Sequence, residues 1–259
     1  MNQFIDTHIH LYDSEFERDL PDVIERAETF GVNRFILPAI DKSNHHKMMG
    51  LSRRYPLQAF PAIGLHPTSV KADWEEELSF VFDSINSDKF YAVGEIGMDG
   101  YWSKEFINEQ STVFEKQIEL AASRSLPVII HSRDATEEIF KMLERTKHLG
   151  LCGVFHAFSG SYETYQRISK MGNFKIGIGG VITFKNSSLA KAAEKMDLKD
   201  IILETDAPWL APVPFRGKRN EPSYISVIAQ RLSQIKDCSI EEVADRTTEN
   251  AVKLFKLKR

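Results

Sequence analysis

The sequence predicts an α/β fold, a single (β/α)8 TIM barrel, from three observations. Eight short apolar segments alternate with longer amphipathic segments along the 259 residues. The average of about 32 residues for each pair of segments suits one strand followed by one helix. The predicted strands are apolar on both faces, which is typical of parallel strands covered by helices. Because periodicity does not show whether a sheet closes, an open doubly wound sheet is the alternative architecture.

The eight predicted strands are short runs rich in Val, Ile and Phe. They cover residues 4–11, 34–40, 59–66, 91–99, 127–133, 153–160, 174–183 and 201–208. Consecutive parallel strands need a crossover connection, and every interval between these runs can hold a helix.

Three of the predicted helices carry recognisable signals. Ser14 and Glu17 match a capping box, and apolar residues then recur at helical spacing. Residues 105–125 form the longest predicted helix. Ser239 with Glu242 marks the start of the last one.

The composition, 42% hydrophobic and 27% charged, is that of an ordinary globular protein. A net charge of −4 argues against a protein that coats nucleic acid, but permits a nuclease that contacts phosphate locally. Cys152 and Cys238 lie far apart, which predicts a reducing, cytoplasmic location without disulfides. No apolar run is long enough to span a membrane, and no obligate protein partner is expected. No linker divides residues 1–259, so one domain is predicted.

The first predicted strand contains the segment IDTHIHL. Side chains alternate between the two faces of a strand, so Asp6, His8 and His10 share one face. Two imidazoles on one face can bind a single metal ion. They can equally be two hydrogen-bonded residues at the end of a sheet.

Ligand-type residues also follow other strands. They are Glu95, His131, His156 and Asp206. Each comes after three to five mostly apolar residues, which places it at the carboxyl end of its strand, the face that carries the active site in such barrels. A lone residue of this kind usually has a structural hydrogen bond. Six together, with His8 and His10, predict a metal site, because clustered imidazoles and carboxylates are unfavourable without a cation.

The other histidines receive different interpretations. His66, in GLHP, is expected at the same mouth, where it contacts substrate or else anchors the turn at Pro67; we favour substrate contact. His45 and His46 fit a solvated helix face, and His148 fits a helix C-terminus.

Together, these motifs resemble the TatD family of metal-dependent deoxyribonucleases, within the amidohydrolase superfamily. The resemblance covers essentially the whole chain and rests, in order, on IDTHIHL, GLHP, AVGEIGMD, PVIIHSR, HAFSG, KIGIGG, ILETDAPWLAP and RGKRNEP. It implies a (β/α)8 barrel, a two-metal centre and DNA as the substrate. The chain departs from the family after GMD, where it reads Gly100-Tyr101-Trp102 and many relatives place an aromatic residue directly after the aspartate.

The resemblance also implies the ligands of two divalent cations. They are His8, His10 and Asp206 for one ion, His131 and His156 for the other, and Glu95 as a bridge. Imidazoles and carboxylates together suit Zn²⁺, Mn²⁺ or Mg²⁺. Two such ions ~4 Å apart can activate a water and stabilise charge on phosphorus. Asp206 is the predicted general base, because a carboxylate beside that water can accept its proton.

Cations at the ends of two strands are candidates for binding phosphate. Arg133 follows the fifth strand, and Arg216, Lys218 and Arg219 follow the last one. The alternative for Lys218 and Arg219 is a solvated basic loop, and Glu221 can pair with one of these cations. The residues we expect to bind substrate are His66, Arg133 and Arg216.

Aromatic residues just beyond strand ends can stack on bases or simply pack in loops. They are Trp102, Phe158 and Trp209. Glu204 shares the face of Asp206 and is expected to support the metal ligands.

Three functions fit these features. The first is a metal-dependent deoxyribonuclease, with exonuclease action on single-stranded or frayed ends and, from the resemblance, attack at the 3′ end. The second is a hydrolase of small amides, esters or phosphoesters with the same site. The third is a non-catalytic metal-binding module, which six ligands and a bridging carboxylate disfavour because structural sites are usually closed around one ion.

Overall fold

The computed structural model describes residues 2–258 and contains eight parallel strands. The strands are β1 Phe4–Asp6, β2 Val32–Leu37, β3 Ala59–Pro61, β4 Val93–Asp99, β5 Val128–Arg133, β6 Gly153–Phe155, β7 Phe174–Ile178 and β8 Ile201–Leu203. All eight are shorter than the sequence predicts, and six of them end earlier because their last residues bend into the loops at the barrel mouth.

Helices connect the strands. The α-helices are α1 Leu20–Thr29, α2 Lys42–Arg54, α3 Trp74–Ser84, α4 Ile107–Arg124, α5 Thr136–Arg145, α6 Tyr162–Lys170, α7 Ser188–Lys195, α8 Ile225–Lys236 and α9 Ile240–Leu254. Short 3-10 helices occupy Ser14–Phe16, Pro67–Ser69, Lys147–Leu149, Gly180–Thr183, Leu198–Asp200 and Pro222–Tyr224. Within residues 2–258 none of the helices combines the length and apolar character needed to cross a membrane.

The strands form a closed ring. Strands β1 to β3 pair in order, and so do β4 to β8. On one side Ile63 bridges to Val93, and on the other Ile9 bridges to Ala207. The Thr7 amide also donates to the Leu203 carbonyl at 3.0 Å. An open sheet would leave two unpaired edges here, so the structure confirms the predicted (β/α)8 barrel.

The barrel interior explains why ligand-type residues converge. Alternate strand residues, including Ile129, Val154 and Ile202, form an inner cluster closed at the opposite end by Phe255 beyond α9. The residues between them pack against the surrounding helices. Counting on by two from Ile129 reaches His131. The inward-facing positions therefore change from apolar to polar at the carboxyl ends of the strands.

One predicted helix start is wrong. Asp13, not Ser14, caps a short 3-10 helix by accepting from the Glu15 amide at 2.9 Å. Helix α1 begins only at Leu20, where Pro21 favours the first turn. The last helix starts as predicted, with Ser239 accepting from the Glu242 amide at 3.1 Å.

Candidate metal centre

Glu95 lies at the centre of the polar cluster in the barrel mouth. Its Oε1 is 2.8 Å from Nδ1 of His131, 3.4 Å from Nε2 of His66 and 3.5 Å from Nε2 of His156. Its Oε2 is 3.1 Å from Nε2 of His8. One buried carboxylate therefore reaches histidines that end or follow four different strands.

Asp206 follows β8 and faces the same cluster. Its Oδ1 is 3.7 Å from Nε2 of both His8 and His10, and 3.9 Å from Nε2 of His156. The Asp206 backbone has a φ of 59°, a left-handed conformation that costs roughly 1–2 kcal/mol outside glycine. A hydrogen bond from its amide to the His8 carbonyl, at 2.9 Å, holds it there. Its side chain is 16% exposed while that of His8 is fully buried, so Asp206 lies nearer the opening.

Hydrogen bonds fix which nitrogen of His10 carries the proton. The Tyr12 hydroxyl donates to the Pro38 carbonyl. The His10 Nδ1–H must therefore donate to the Tyr12 oxygen, 2.7 Å away. Nε2 is left with a lone pair, and it lies 3.2 Å from Nε2 of His8. His10 is thus held in the tautomer that binds a metal.

The second side of the cluster is held by two further carboxylates. Asp99 Oδ2 lies 2.9 Å from Nε2 of His131, and Glu204 Oε1 lies 3.1 Å from Nδ1 of His156. Glu204 Oε1 also accepts from the Ala157 amide at 2.5 Å. These contacts orient both imidazoles toward Glu95, so Glu204 has the supporting position that its strand alternation predicts.

Burial and neighbouring charges shift the titration of the cluster. Burial opposes the charged form, but hydrogen bonds to Asp99 and Glu95 raise the pKa of His131 to about 9. Burial likewise opposes charge on His156, but Glu204 and Glu95 raise its pKa to about 10. Burial acts to raise the pKa of Glu95, but the neighbouring histidines, His156 first, hold it well below its usual range. Glu95 is therefore ionised, next to two imidazoles, His131 and His156, whose own pKa values are raised.

The donor set fits divalent cations. Three groups of side chains place ligand atoms within 4.8 Å of one another, and they are His8–His10–Glu95, His66–Glu95–His131 and His8–His156–Glu204. Among residues 2–258, the buried side-chain atoms without a hydrogen-bond partner include Nδ1 of His8, Nδ1 of His156 and Oε2 of Glu204, which belong to the third of these groups. Burial lowers the pKa of His8, which keeps it in the neutral form that ligates metals. Imidazole nitrogens and carboxylate oxygens converging in this way suit Zn²⁺ or Mn²⁺.

His66 anchors the turn, as one of its two interpretations predicts, while its contact with substrate stays a prediction. Its Nδ1 accepts from the Thr68 amide at 3.1 Å and so anchors the turn that follows β3. Its Nε2 points into the mouth, 3.3 Å from Nδ1 of His131. His45, in contrast, is not on a solvated face, because it is partly buried against the Phe80 ring at 4.9 Å.

The predicted phosphate-binding cations fall into two groups. Arg133 and Arg216 are exposed, and no carboxylate within residues 2–258 forms an ion pair with either. Arg219 differs from expectation, because Asp19 binds it at 2.6 Å and keeps it in a structural pair. Glu221 pairs with Arg26, at 2.8 Å, rather than with a cation of its own loop.

The residues predicted to stack on bases differ in their exposure to solvent. Trp102 is 70% exposed and Trp209 is 47% exposed. Phe158 is buried, so it packs within the protein and offers no face to a base.

Sequence reasoning gave no role to Asp99 or Tyr12. A signal for each exists, because Tyr12 follows His10 by two residues and Asp99 ends the strand that carries Glu95. Gln110 could not be found in this way. Its side chain on α4 binds both the amide and the carbonyl of Asp99, at 2.8 and 3.2 Å, across a contact that only the fold reveals.

Comparison with known proteins identifies the family. A family model described as TatD related DNase matches residues 5–256. The chain belongs to the TatD-related DNase family. The uncharacterized metal-dependent hydrolase YabD of Bacillus subtilis (strain 168) is 39% identical over 253 residues, which cover 97% of this chain and 98% of YabD. These findings confirm the resemblance seen in the sequence and make the chain a metal-dependent hydrolase of the TatD family.

Solved TatD structures share the architecture. The crystal structure of YjjV, a TatD homologue from Escherichia coli K12, aligns with a TM-score of 0.92 at 31% identity and covers 98% of both chains. A TatD-family hydrolase from Entamoeba histolytica aligns with a TM-score of 0.82 at 23% identity, again over 98% of both chains. The second likeness supports the barrel fold of this TatD-family member and no more.

Proposed function

We propose that this protein is a deoxyribonuclease that removes nucleotides from the 3′ end of single-stranded or frayed DNA with the help of two divalent cations. The observation that carries the proposal is the position of Glu95, whose two oxygens face different sets of histidines. The family description as a DNase supports DNA as the substrate. A carboxylate that reaches two ligand sets is what a two-metal phosphoesterase requires.

The proposal assigns the ligands to two ions that share Glu95. The proposed ligands are His8, His10 and Asp206 for one ion, and His131 and His156 for the other. Divalent ions bound there supply a water of lowered pKa and stabilise negative charge on the phosphate. The contacts of Tyr12, Asp99 and Glu204 hold three of the imidazoles in place before substrate arrives.

Asp206 is the proposed general base. It is the most exposed carboxylate of the cluster, so it can receive a proton from a water between the cluster and the incoming phosphate. Burial acts to raise its pKa, but contacts with His10 and His156 lower it. Asp206 is therefore ionised near neutral pH and able to accept.

A few cations at the barrel mouth can attract DNA, whereas the net charge of the whole protein does not. Arg133 and Arg216 lack ionic partners in the described part of the chain and can bind phosphate oxygens. His66, whose Nε2 lies 3.4 Å from Glu95, can donate to substrate. A net charge of −4 gives little long-range attraction for a duplex, which favours a flexible single strand that enters the concave mouth.

The number of bound ions tests the metal centre. We expect elemental analysis of purified, reconstituted protein to find two divalent ions per chain. His131→Ala and His156→Ala should each weaken one ion and leave the other bound through His8 and His10. His148→Ala, an exposed histidine in a 3-10 helix, is the matched control and should retain both ions. A stoichiometry that never exceeds one ion in titrations of the wild-type protein would show that the centre is not binuclear.

The need for a free end tests the mode of attack. A concave mouth admits a strand end, so linear single-stranded DNA labelled at its 5′ end should shorten stepwise. Closed circular single-stranded DNA of the same sequence has no end and should survive. The products are followed on a denaturing gel. The control is the same circle after it has been cut open by a restriction enzyme at a site made double-stranded by a short oligonucleotide. Cleavage of the circle at the rate of the linear strand would contradict the exonuclease model.

A further inference from the structure

Two large aromatic side chains stand uncovered in the loop after β4. Tyr101 is 55% exposed and Trp102 is 70% exposed, and their rings contact edge to face at 5.2 Å. Uncovered apolar rings next to each other are unfavourable in water unless something binds them, so such patches often mark binding sites. The loop follows the carboxyl end of β4, which places both rings at the mouth of the barrel.

The backbone that carries the two rings is held in place by hydrogen bonds. Asp99 Oδ1 accepts from the amides of Tyr101 and Trp102, at 2.9 and 3.0 Å. Gln110 in turn binds the Asp99 amide and carbonyl from helix α4. The turn is thus fixed by buried side chains while its rings stay exposed. A loop held in this way loses little backbone conformational entropy when it binds a ligand.

The same residues connect the rings to the metal centre. The other oxygen of Asp99 lies 2.9 Å from His131, a proposed metal ligand. The Arg133 guanidinium lies 3.6 Å from the centre of the Tyr101 ring and 5.3 Å from that of Trp102. Arg133 and His156 line one cleft of about 460 Å³. A ligand on the rings is therefore adjacent to the place where the phosphate is expected.

We propose that Tyr101, Trp102 and Arg133 form a stacking platform for one unpaired nucleobase next to the bond that is cut. The inference rests on the proposed deoxyribonuclease function and adds to it the element that selects single strands. The platform presents an exposed indole beside a cation that forms no ion pair within residues 2–258, which suits a planar base linked to a phosphate. A base inside a duplex is already stacked and paired, so only a flipped or unpaired base can lie on the indole.

The affinity for oligonucleotides that lack one base tests the platform without any need for catalysis. The probes are 5′-fluorescein-labelled single-stranded octanucleotides with phosphorothioate linkages that resist cleavage. In four of them one of the last four nucleotides is replaced by an abasic tetrahydrofuran residue. We expect the metal-loaded wild type to bind one of the four on the order of tenfold to a hundredfold more weakly than the intact octamer, measured by fluorescence anisotropy.

The variants assign that loss to the platform. Trp102→Ala should bind the intact octamer as weakly as the abasic one, whereas Trp102→Phe should keep most of the difference. Phe30→Ala removes an exposed aromatic ring at the other end of the barrel and should behave as wild type. Trp209→Ala should keep the difference in affinity between the intact and the abasic octamer, even if it changes both affinities.

The possible failures are distinguishable. Tight binding of DNA with no dependence on any single base, or a dependence that persists in Trp102→Ala, overturns the platform and leaves the nuclease proposal standing. An absence of both binding and cleavage of DNA by the wild type overturns both proposals. A change of oligomeric state in Trp102→Ala, seen by sedimentation without any change in base dependence, would show instead that the rings contact a second copy of the chain.

Discussion

Replacement of Asp206 by asparagine is expected to lower the turnover of single-stranded DNA by at least ~100-fold, the usual effect of losing a general base. Asparagine has nearly the same shape and can keep the amide hydrogen bond to the His8 carbonyl that holds residue 206 in its left-handed conformation. It lacks the negative charge that accepts a proton. The fold should therefore survive, as judged by circular dichroism and the thermal unfolding midpoint.

Metal content must be measured in the same Asp206→Asn sample, because Asp206 is also a proposed ligand. Asp83→Asn, the same change on an exposed position of helix α3, is the matched control and should keep wild-type turnover. Lost turnover with both ions bound assigns proton transfer to Asp206. Turnover within a fewfold of wild type, with the metal bound, would show that another group is the base.

The barrel and the cluster could be predicted because both depend on local patterns. Each strand is recognisable in the sequence as a short apolar run. The alternation of side chains along the strand decides which of them face inward. His131 and His156 end such runs, so their shared position follows from the fold class alone. The carboxyl ends of all strands in a barrel face one mouth, which brings together residues far apart in sequence.

The supporting contacts could not be predicted because they join distant elements. Arg219 belongs to a basic loop in the sequence, yet Asp19, at the start of α1, binds it in the structure. Gln110 is one of many polar residues on a helix, and only the packing of α4 against β4 shows that it holds Asp99. These partners lie 200 and 11 residues apart, and in both cases the choice of partner depends on how two elements pack, for which periodicity carries no information.

Glu95→Gln is expected to have the broadest effect of any single change in the cluster. Glutamine fills the same volume, but one of its two terminal oxygens becomes an NH₂ group that cannot bind a cation. One of the two Glu95 oxygens lies 3.1 Å from His8, and the other lies 3.5 Å from His156 on the side that His131 shares. The substitution removes one of these two oxygens. Removing the negative charge also weakens attraction for both ions. We expect the affinity for at least one ion to fall by more than ~100-fold, and DNA cleavage to fall with it.

Isothermal titration of divalent cations into chelator-treated protein measures this effect, with Glu119→Gln on the exposed face of α4 as the control. Loss of His131 or His156 removes a ligand from one side only, whereas Glu95 touches both sides. Glu95→Gln should therefore impair both binding events, and each histidine variant only one. If Glu95→Gln weakened a single ion to the same extent as His131→Ala and left the other at wild-type affinity, Glu95 would be a ligand of one ion rather than a bridge between two.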